Sequence, residues 1–379
     1  MKYLVKLAAL GASLAIAGAA QAADPVRIGA VVSQTGPGAF LGEPAAITLR
    51  HYVEKLNEAG GLLGRPVELI IYDDATDANT ARTFATRLVE EDGVSAVIGT
   101  STTGGTLAMV SVLEDAEVPM ISLAAGIEIV EPVNPYVFKT PHTDRMVCER
   151  IISEFKERGF DQVALMTGTD GVGKSVRKEC HDEAGRVGIE IIADETFNPK
   201  DVDMSPQMTK IKNTPGVDAV LVGGFGQPLA VVSRNYKQLG MEIPQYHTHG
   251  SASKAYVEMS EGGAENVRLT GPLLVIADQL AADDPLRPRA IEYTETMREL
   301  TGQDVSTFGG YAYDALLLVS DAITRANSDD PVAVRDALEA TKNLPGVTGM
   351  FNMSPEDHLG IDKDSLYMVT VKNGEWVLE

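Results

Sequence analysis

The stretch Val97–Met109, V-I-G-T-S-T-T-G-G-T-L-A-M, has a strand–turn–helix pattern. Its apolar start predicts the end of a buried strand, and a helix is predicted from about Thr106. The hydroxyl residues Ser101, Thr102 and Thr103 lie between them. Free N–H groups and the positive end of the helix dipole favour an anion there, such as a carboxylate. The same hydroxyls also suit a simple helix cap, so this stretch alone leaves both interpretations open.

Residues 1–22 have the pattern of a secretory signal peptide. Met1–Lys6 is short and basic, Leu7–Ala19 is apolar, and Ala20–Ala22 is an A-x-A cleavage site. The apolar run is too short to span a membrane, and no later stretch reaches the roughly 18 apolar residues that a span requires. We therefore expect a periplasmic chain that begins at Ala23 and does not insert into the membrane.

Length and charge limit the class of protein. The chain has 379 residues and a formal net charge of −22; the length favours two domains. The acidic excess argues against nucleic acid and anionic membrane surfaces as partners. Cys148 and Cys180 are the only cysteines in the sequence. An oxidising compartment permits one disulfide between them, and two free buried thiols are an equal alternative.

Strands and helices alternate along the chain in two successive series. The first runs from Val26 to Ser122, and the second, from Arg145 to His247, repeats its architecture. This alternation predicts parallel sheets flanked by helices on both faces. In the last third, Leu269–Ile276 is predicted as a strand, and Asn-Gly before Glu375 predicts a terminal hairpin.

These last elements are too few for a third domain, so we expect them to complete the two earlier sheets. The predicted lobes are discontinuous, with residues 23–141 and 272–350 in one and residues 142–271 and 351–379 in the other. Chain crossings between two lobes make a hinge with a cleft between them. Ligands of parallel α/β sheets bind beyond the carboxyl ends of the strands, so the cleft is the predicted binding site.

Gly168–Ser175, G-T-D-G-V-G-K-S, matches the phosphate-binding P-loop pattern G-x-x-x-x-G-K-[ST]. A phosphotransferase or ATPase is therefore an alternative function. Export to a compartment with little ATP argues against it, as does the lack of an obvious magnesium partner. We interpret the motif as a strand-to-helix turn that faces the cleft.

Other residue patterns favour binding over catalysis. His247 and His249 form a His-x-His pair, but the spacing supplies no third metal ligand. A histidine at a strand end could instead donate to a ligand carboxylate. No G-x-S-x-G signature of nucleophilic catalysis is present. We expect a binding protein with no cofactor, no metal and no enzymatic activity. Four aromatic residues near predicted cleft segments favour an apolar ligand surface: Phe40, Phe225, Phe308 and Tyr311.

A family resemblance rests on five segments whose order and spacing form a specific set. They are G-A-V-V-S-Q-T-G-P (Gly29–Pro37), E-A-G-G-L-L-G-R-P-V-E-L (Glu58–Leu69), A-V-I-G-T (Ala96–Thr100), P-M-I-S (Pro119–Ser122) and Y-A-Y-D-A-L (Tyr311–Leu316). Together they resemble the solute-binding proteins of the branched-chain amino acid/amide ABC importers, the leucine/isoleucine/valine-binding type. The resemblance covers nearly all of the mature chain.

This resemblance implies a type I periplasmic binding fold, with two α/β lobes, three hinge crossings and closure around a ligand. It also implies a monomer that delivers its ligand to a membrane permease and the associated ATPase. A ligand-sensing domain of the same fold is a further alternative.

The resemblance also implies a binding site for the ligand carboxylate. In the family, hydroxyls after the A-V-I-G strand and the loop after P-M-I-S hold this group. The matching first-lobe residues are Ser101, Thr102, Thr103, Ala124, Ala125 and Gly126. Gly126 stands where the family has threonine, so a side-chain contact is lost there, while backbone N–H groups are expected to remain.

The rest of the implied site is apolar, with one departure from the family. Phe40 or Leu41 represents the aromatic after the first G-P loop, and the second-lobe aromatics fall at Val172 and at Phe225 or Gly226. Phe308 is expected beside them.

His249 stands near the position of the family's acidic residue, which holds the ligand ammonium. A cleft with histidine lacks that counter-charge, which favours a carboxylate without an amine. H-T-H-G-S-A-S-K (His247–Lys254) resembles members that carry benzoate-type acids. We expect a small apolar or aromatic carboxylate, with a branched-chain amino acid as the alternative.

Overall fold

The computed structural model of the chain describes residues 24–379. The predicted signal peptide, residues 1–22, lies outside this part. Among the helices between residues 24 and 379, none is long and apolar enough to cross a membrane. Two sheets, each flanked by helices, organise the described chain into two α/β lobes. The predicted fold class is therefore confirmed.

The first sheet has five parallel strands in the order β2-β1-β3-β4-β5. Its strands are short, mostly apolar runs, and all but the edge strand β2 are largely buried, because hydrophobic clusters cover both faces. They are β1 (Val26–Val32), β2 (Val67–Asp73), β3 (Ala96–Gly99), β4 (Met120–Ser122) and β5 (Val137–Lys139).

The second sheet repeats this order in its parallel part, β7-β6-β8-β9-β10, and adds two antiparallel strands at the β10 edge. Asn373-Gly374 forms the turn between these last strands, as predicted. The strands are β6 (Gln162–Gly168), β7 (Glu190–Phe197), β8 (Ala219–Gly223), β9 (Gln245–His247), β10 (Arg268–Pro272), β13 (Leu366–Lys372) and β14 (Glu375–Leu378); between them, β11 (Leu344–Pro345) and β12 (Met350–Phe351) make a separate ribbon.

Helices cover the sheets and connect their strands. They are α1 (Ala39–Glu58), α2 (Ala78–Arg87), α3 (Thr103–Asp115), α4 (Asp144–Arg158), α5 (Gly171–Val187), α6 (Ser205–Lys212), α7 (Gln227–Gln238), α8 (Lys254–Met259), α9 (Arg287–Thr301), α10 (Thr307–Ala326) and α11 (Pro331–Glu339). Shorter helical turns occur at Leu88–Asp92, Ile127–Ile129, His249–Ser251, Leu273–Gln279 and Lys363–Ser365.

The predicted strand Leu269–Ile276 is wrong in its second half. The strand ends at Pro272, and the chain continues as short helical turns over Leu273–Gln279. Proline has no N–H with which to continue a ladder. The residues after it are apolar because they are buried in a helical cluster, and an apolar run does not distinguish this from a buried strand.

The helix predicted from about Thr106 begins three residues earlier, at Thr103. Thr102 caps it by accepting a hydrogen bond from the N–H of Gly105. Consecutive glycines at 104 and 105 disfavour a helix interior. The helix was therefore predicted to begin only after them.

The division of the chain into lobes stays a proposal, and the packing adds one detail to it. Phe351, Met353 and Ile361 pack into the cluster that covers one face of the first sheet. The second sheet resumes only at Leu366. We therefore propose that the last crossing lies between residues 361 and 366 rather than after residue 350.

The two cysteines form a disulfide in the structure. Cys148 on α4 and Cys180 on α5 have α-carbons 5.0 Å apart, and both side chains are buried in the helical layer of the second lobe. Of the two alternatives that the sequence left open, the structure contains the bridge.

Candidate functional site

A cavity of about 40 Å³ lies between the lobes, at the carboxyl ends of strands from both sheets. This is where parallel α/β sheets bind ligands. Larger grooves of about 440 and 620 Å³ lie beside α9, away from these strand ends. The cavity is lined by Leu41, Ser101, Leu123, Ala124, Ala125, Pro141, Asp144, Val172, Gly224, Phe225, Thr248, His249, Gly250, Phe308 and Tyr311.

The lobes touch each other around this cavity. A Cβ atom placed on Gly171 of α5 would lie 3.4 Å from the backbone nitrogen of Gly104 on α3. A Cβ placed on Gly226 would lie 3.7 Å from the carbonyl oxygen of Pro37. The structure is therefore closed, and the remaining space holds a few water-sized groups.

Most of the site residues predicted from the sequence line the cavity. They are Leu41, Ser101, Ala124, Ala125, Val172, Phe225, His249 and Phe308. The other four, Phe40, Thr102, Thr103 and Gly126, do not line the cavity. Phe40 packs its ring on that of Phe308, with centroids 5.1 Å apart, so it supports the apolar wall from behind.

In the first-lobe wall, two of the backbone N–H groups predicted to bind the ligand carboxylate are bonded to the protein itself. The Ser101 hydroxyl accepts a hydrogen bond from the backbone N–H of Ser33 at 3.2 Å. Thr103 Oγ1 accepts from the N–H of Gly126 at 3.2 Å, and Ser122 Oγ accepts from the N–H of Ala124 at 3.1 Å. The expectation that the N–H groups of Ala124 and Gly126 remain available to a ligand is therefore wrong, because the protein's own hydroxyls accept their hydrogen bonds.

Asp144 brings a carboxylate to the cavity, and the sequence interpretation did not include it. It is the first residue of α4, directly after the cap Thr143, and an acid is favourable in a first helical turn. Its side chain is fully buried. Neither carboxylate oxygen has a hydrogen-bond partner among the residues that the structure describes.

Burial raises the pKa of Asp144 to about 7. The nearby Ser175 hydroxyl and Lys139 ammonium oppose this rise, because both stabilise the ionised form. A signal for Asp144 does exist in the sequence. An acid follows a capping threonine immediately after the predicted crossing near Pro141, where the chain passes the cleft.

Lys139 is a second buried charge beside the cavity. It ends β5, is fully buried, and donates from Nζ to the carbonyl oxygen of Ala125 at 2.6 Å. Burial lowers its pKa to about 7, while the carboxylates of Asp144 and Glu128 oppose the decrease. Lys139 thus holds the cavity-lining loop at Ala124 and Ala125 in place.

The two histidines of the His-x-His pair have different surroundings. His247 lies in the core, where Gln245 and Ser251 contact its ring nitrogens at 2.8 Å. His249 lines the cavity, and its Nδ1 has no partner within the described chain. Burial, helped by Lys139, lowers the pKa of His249 to about 3. Its ring is therefore neutral at physiological pH.

Tyr311 adds a polar atom to an otherwise apolar part of the wall. Its hydroxyl is buried and has no hydrogen-bond partner in residues 24–379, and burial raises its pKa. Between residues 24 and 379, no cluster of three or more acidic, histidine or cysteine side chains is arranged to hold a metal ion.

The P-loop alternative is wrong. Asp170 caps α5, and its Oδ1 accepts the N–H of Gly173 at 2.8 Å, so the protein's own carboxylate occupies the position of a phosphate. Gly173 also packs directly on the backbone of Gly168. Lys174 is exposed. The glycines serve a tight strand-to-helix turn.

The sequence and the fold are similar to those of known binding proteins. The chain is 28% identical over 344 residues to the leucine-, isoleucine-, valine-, threonine-, and alanine-binding protein of Pseudomonas aeruginosa, with 88% of each chain covered. It is 26% identical over 357 residues to Leu/Ile/Val-binding protein homolog 3 of Brucella melitensis. The alignment covers 93% of this chain and 92% of the relative.

Solved structures of similar fold are also binding proteins. An extracellular ligand-binding receptor from Rhodopseudomonas palustris superposes with a TM-score of 0.87 at 26% identity, covering 94% of this chain and all of that one. The branched-chain amino acid transporter substrate binding protein LivJ from Streptococcus pneumoniae, solved with isoleucine, superposes with a TM-score of 0.79 at 26% identity and the same coverage.

A family model described as "Periplasmic binding protein" matches residues 25–375, nearly the whole described chain. This match agrees with the two closed lobes, the cavity at their strand ends and the absence of a P-loop site at Gly168–Ser175. The chain therefore belongs to the periplasmic binding protein family and is a binding protein rather than an enzyme.

Proposed function

We propose that this chain is the exported, monomeric solute-binding component of an ABC importer. It captures a small apolar carboxylate, such as an aliphatic amino acid, between its lobes and delivers it to a membrane permease and its ATPase. The observation that carries this proposal is the cavity between two touching lobes, with apolar side chains on most of its wall. Relatives named for leucine, isoleucine and valine binding support the same ligand class.

The size of the cavity favours ligands at the small end of this class. About 40 Å³ holds a few water-sized groups, so leucine or a benzoate-type acid requires the lobes to part beyond this closed position. Hinge motion about the crossings supplies that adjustment, and the ligand then shifts the equilibrium toward the closed state. Alanine and valine fit with the least parting.

A thermal-unfolding screen of the mature protein tests the ligand class. The panel contains L-alanine, L-valine, L-leucine, benzoate and ATP with magnesium. A ligand that binds only the folded state stabilises it by about 2.7 kcal/mol at a hundredfold excess over its dissociation constant. We expect stabilisation by at least one aliphatic amino acid or apolar acid and none by ATP. Stabilisation by ATP alone would contradict the proposal.

Export and delivery need a test in cells. Amino-terminal sequencing of the periplasmic fraction should show a chain that begins at Ala23. Uptake of the labelled ligand should fall when the gene is deleted and return when it is restored. Unchanged uptake in the deletion strain would favour the alternative, a ligand-sensing domain of the same fold.

A further inference from the structure

Asp144 is a buried carboxylate that the protein itself leaves without hydrogen bonds. It lines the cavity, and both of its oxygens lack partners anywhere in residues 24–379. Burial removes the water that would otherwise stabilise its charge, which is costly unless another group replaces that water. We infer that Asp144 binds an ammonium group of the solute and thereby makes an amino group a requirement for tight binding.

A second buried aspartate shows how this fold treats a purely structural carboxylate. Asp314 on α10 is also fully buried, but it accepts hydrogen bonds from the backbone N–H groups of Val347 and Thr348 and from the Thr348 hydroxyl. Its surroundings are complete without a ligand. Asp144 differs because none of its neighbours donates to its oxygens with hydrogen-bond geometry, although the Ser175 hydroxyl lies near them.

The charged neighbours of Asp144 do not take the place of such a donor. The ammonium group of Lys139 is directed to the carbonyl oxygen of Ala125. Glu128 and Glu179 are like charges that disfavour an ionised Asp144, although Glu179 is paired with Arg145 at 2.7 Å. His249, across the cavity wall, is neutral. The position therefore offers a negative group to a solute, with no cation bonded to it in the described chain.

The chemistry of the site favours an ammonium group over other donors. A carboxylate accepts hydrogen bonds only, and an ammonium supplies three donors together with the opposite charge. A neutral amide or hydroxyl would satisfy the hydrogen bonds without adding a positive charge beside the carboxylate. The unpartnered Tyr311 hydroxyl and His249 Nδ1 line the same cavity and are available to the remaining polar atoms of the solute.

This inference rests on the proposed function, since it names a chemical requirement of the same ligand. It also changes the expected ligand. The preference for an amine-free acid depended on a histidine at position 249 and a cleft without counter-charge. Asp144 supplies that counter-charge from the first turn of α4 instead.

Isothermal titration calorimetry with paired probes tests the inference. Each aliphatic amino acid of the panel, L-alanine, L-valine or L-leucine, is compared with the acid that lacks only its amino group. We expect the wild-type protein to bind at least one amino acid about 100-fold more tightly than its amine-free partner, as a buried charge-assisted contact requires. Asp144→Asn should remove most of that difference by weakening the amino acid and not the acid.

Asp74→Asn is the matched control. Asp74 is also buried and has one unpartnered carboxylate oxygen, but it does not line the cavity. We expect this variant to keep the preference for the amino acid. If Asp144→Asn does not fold, as judged by thermal unfolding, Asp144→Ser is used, and the paired probes on the wild-type protein still decide the question.

The outcomes separate the inference from the proposed function. Equal binding of an amino acid and its amine-free partner by the wild-type protein would overturn the inference and leave the proposed function in place. An unchanged preference in Asp144→Asn would do the same. Failure of every amino acid and every acid to bind would overturn the proposed ligand class, and the inference with it.

Discussion

Lys139 and Asp144 meet at one atom, the carbonyl oxygen of Ala125. The Lys139 ammonium donates to it at 2.6 Å and the Asp144 backbone N–H at 3.2 Å. This shared acceptor ties the end of β5, the start of α4 and a cavity-lining loop together at the passage between the lobes. Loss of the Lys139 donor should therefore affect the site before it affects the rest of the fold.

Lys139→Met should weaken ligand binding by about tenfold. The substitution leaves the Ala125 carbonyl with one donor fewer and loosens the cavity-lining loop. A lost hydrogen bond to a charged group costs about 1.5–3 kcal/mol. Calorimetry with the best ligand of the panel measures the change. Lys174→Met, at an exposed lysine, is the control. An unchanged affinity in Lys139→Met would show that the loop does not depend on this contact.

The unliganded protein should become more stable when Asp144 is replaced by asparagine, and increasingly so as the pH rises. Burial raises the pKa of Asp144 from 3.8 to about 7. Between these values the folded protein holds a proton that the unfolded chain has released, so the contribution of Asp144 to stability falls as the pH rises. Asparagine has no such titration.

Urea unfolding at pH 4, 6 and 8 measures this effect as the difference in the free energy of unfolding between Asp144→Asn and wild type. The difference should be smallest at pH 4 and largest at pH 8. Asp115→Asn, at an exposed aspartate, should show no comparable trend. A difference that stays constant with pH would mean that Asp144 is not held in a charge-disfavouring environment.

Removal of the disulfide should lower stability without changing the site. Cys148 and Cys180 lie in the helical layer of the second lobe and outside the lining of the cavity. We expect the double variant Cys148→Ser/Cys180→Ser to lose about 2–4 kcal/mol in the free energy of unfolding, measured by urea titration, with ligand affinity within about threefold. A large loss of affinity in a folded variant would contradict this separation.

The P-loop-like turn should behave as a structural element. Asp170→Ala removes the side chain that caps α5 and should cost about 0.5–2 kcal/mol of stability. Lys174→Ala should leave both stability and ligand affinity unchanged, because this lysine is exposed. Urea unfolding and calorimetry measure the two effects. A selective loss of ligand binding in Lys174→Ala would assign the motif a role that its geometry does not support.

The architecture was predictable because its signals are local. Strand and helix periodicity, together with Asn-Gly before Glu375, depend on residues that are close in sequence, and the sheets confirm them. The end of β10 was less predictable, because the residues after Pro272 are as apolar as a buried strand. Their helical burial depends on contacts with distant segments such as α9.

The polar part of the site was the least predictable for the same reason. Asp144 looks like an ordinary first-turn acid in the sequence, and its burial arises only when β5, α4 and α5 pack together. The donors at Ala124 and Gly126 are used by Ser122 and Thr103, and the sequence gives no sign of this pairing. The apolar lining, in contrast, followed from motif position.

A crystal structure of the mature protein with its best-binding amino acid would show whether Asp144 binds the amino group of the ligand. We expect ligand density between the lobes, with the amino group in hydrogen-bond contact with the Asp144 carboxylate and the aliphatic chain against Phe225 and Phe308. A ligand bound outside this cavity, or one whose nitrogen does not contact Asp144, would contradict this expectation.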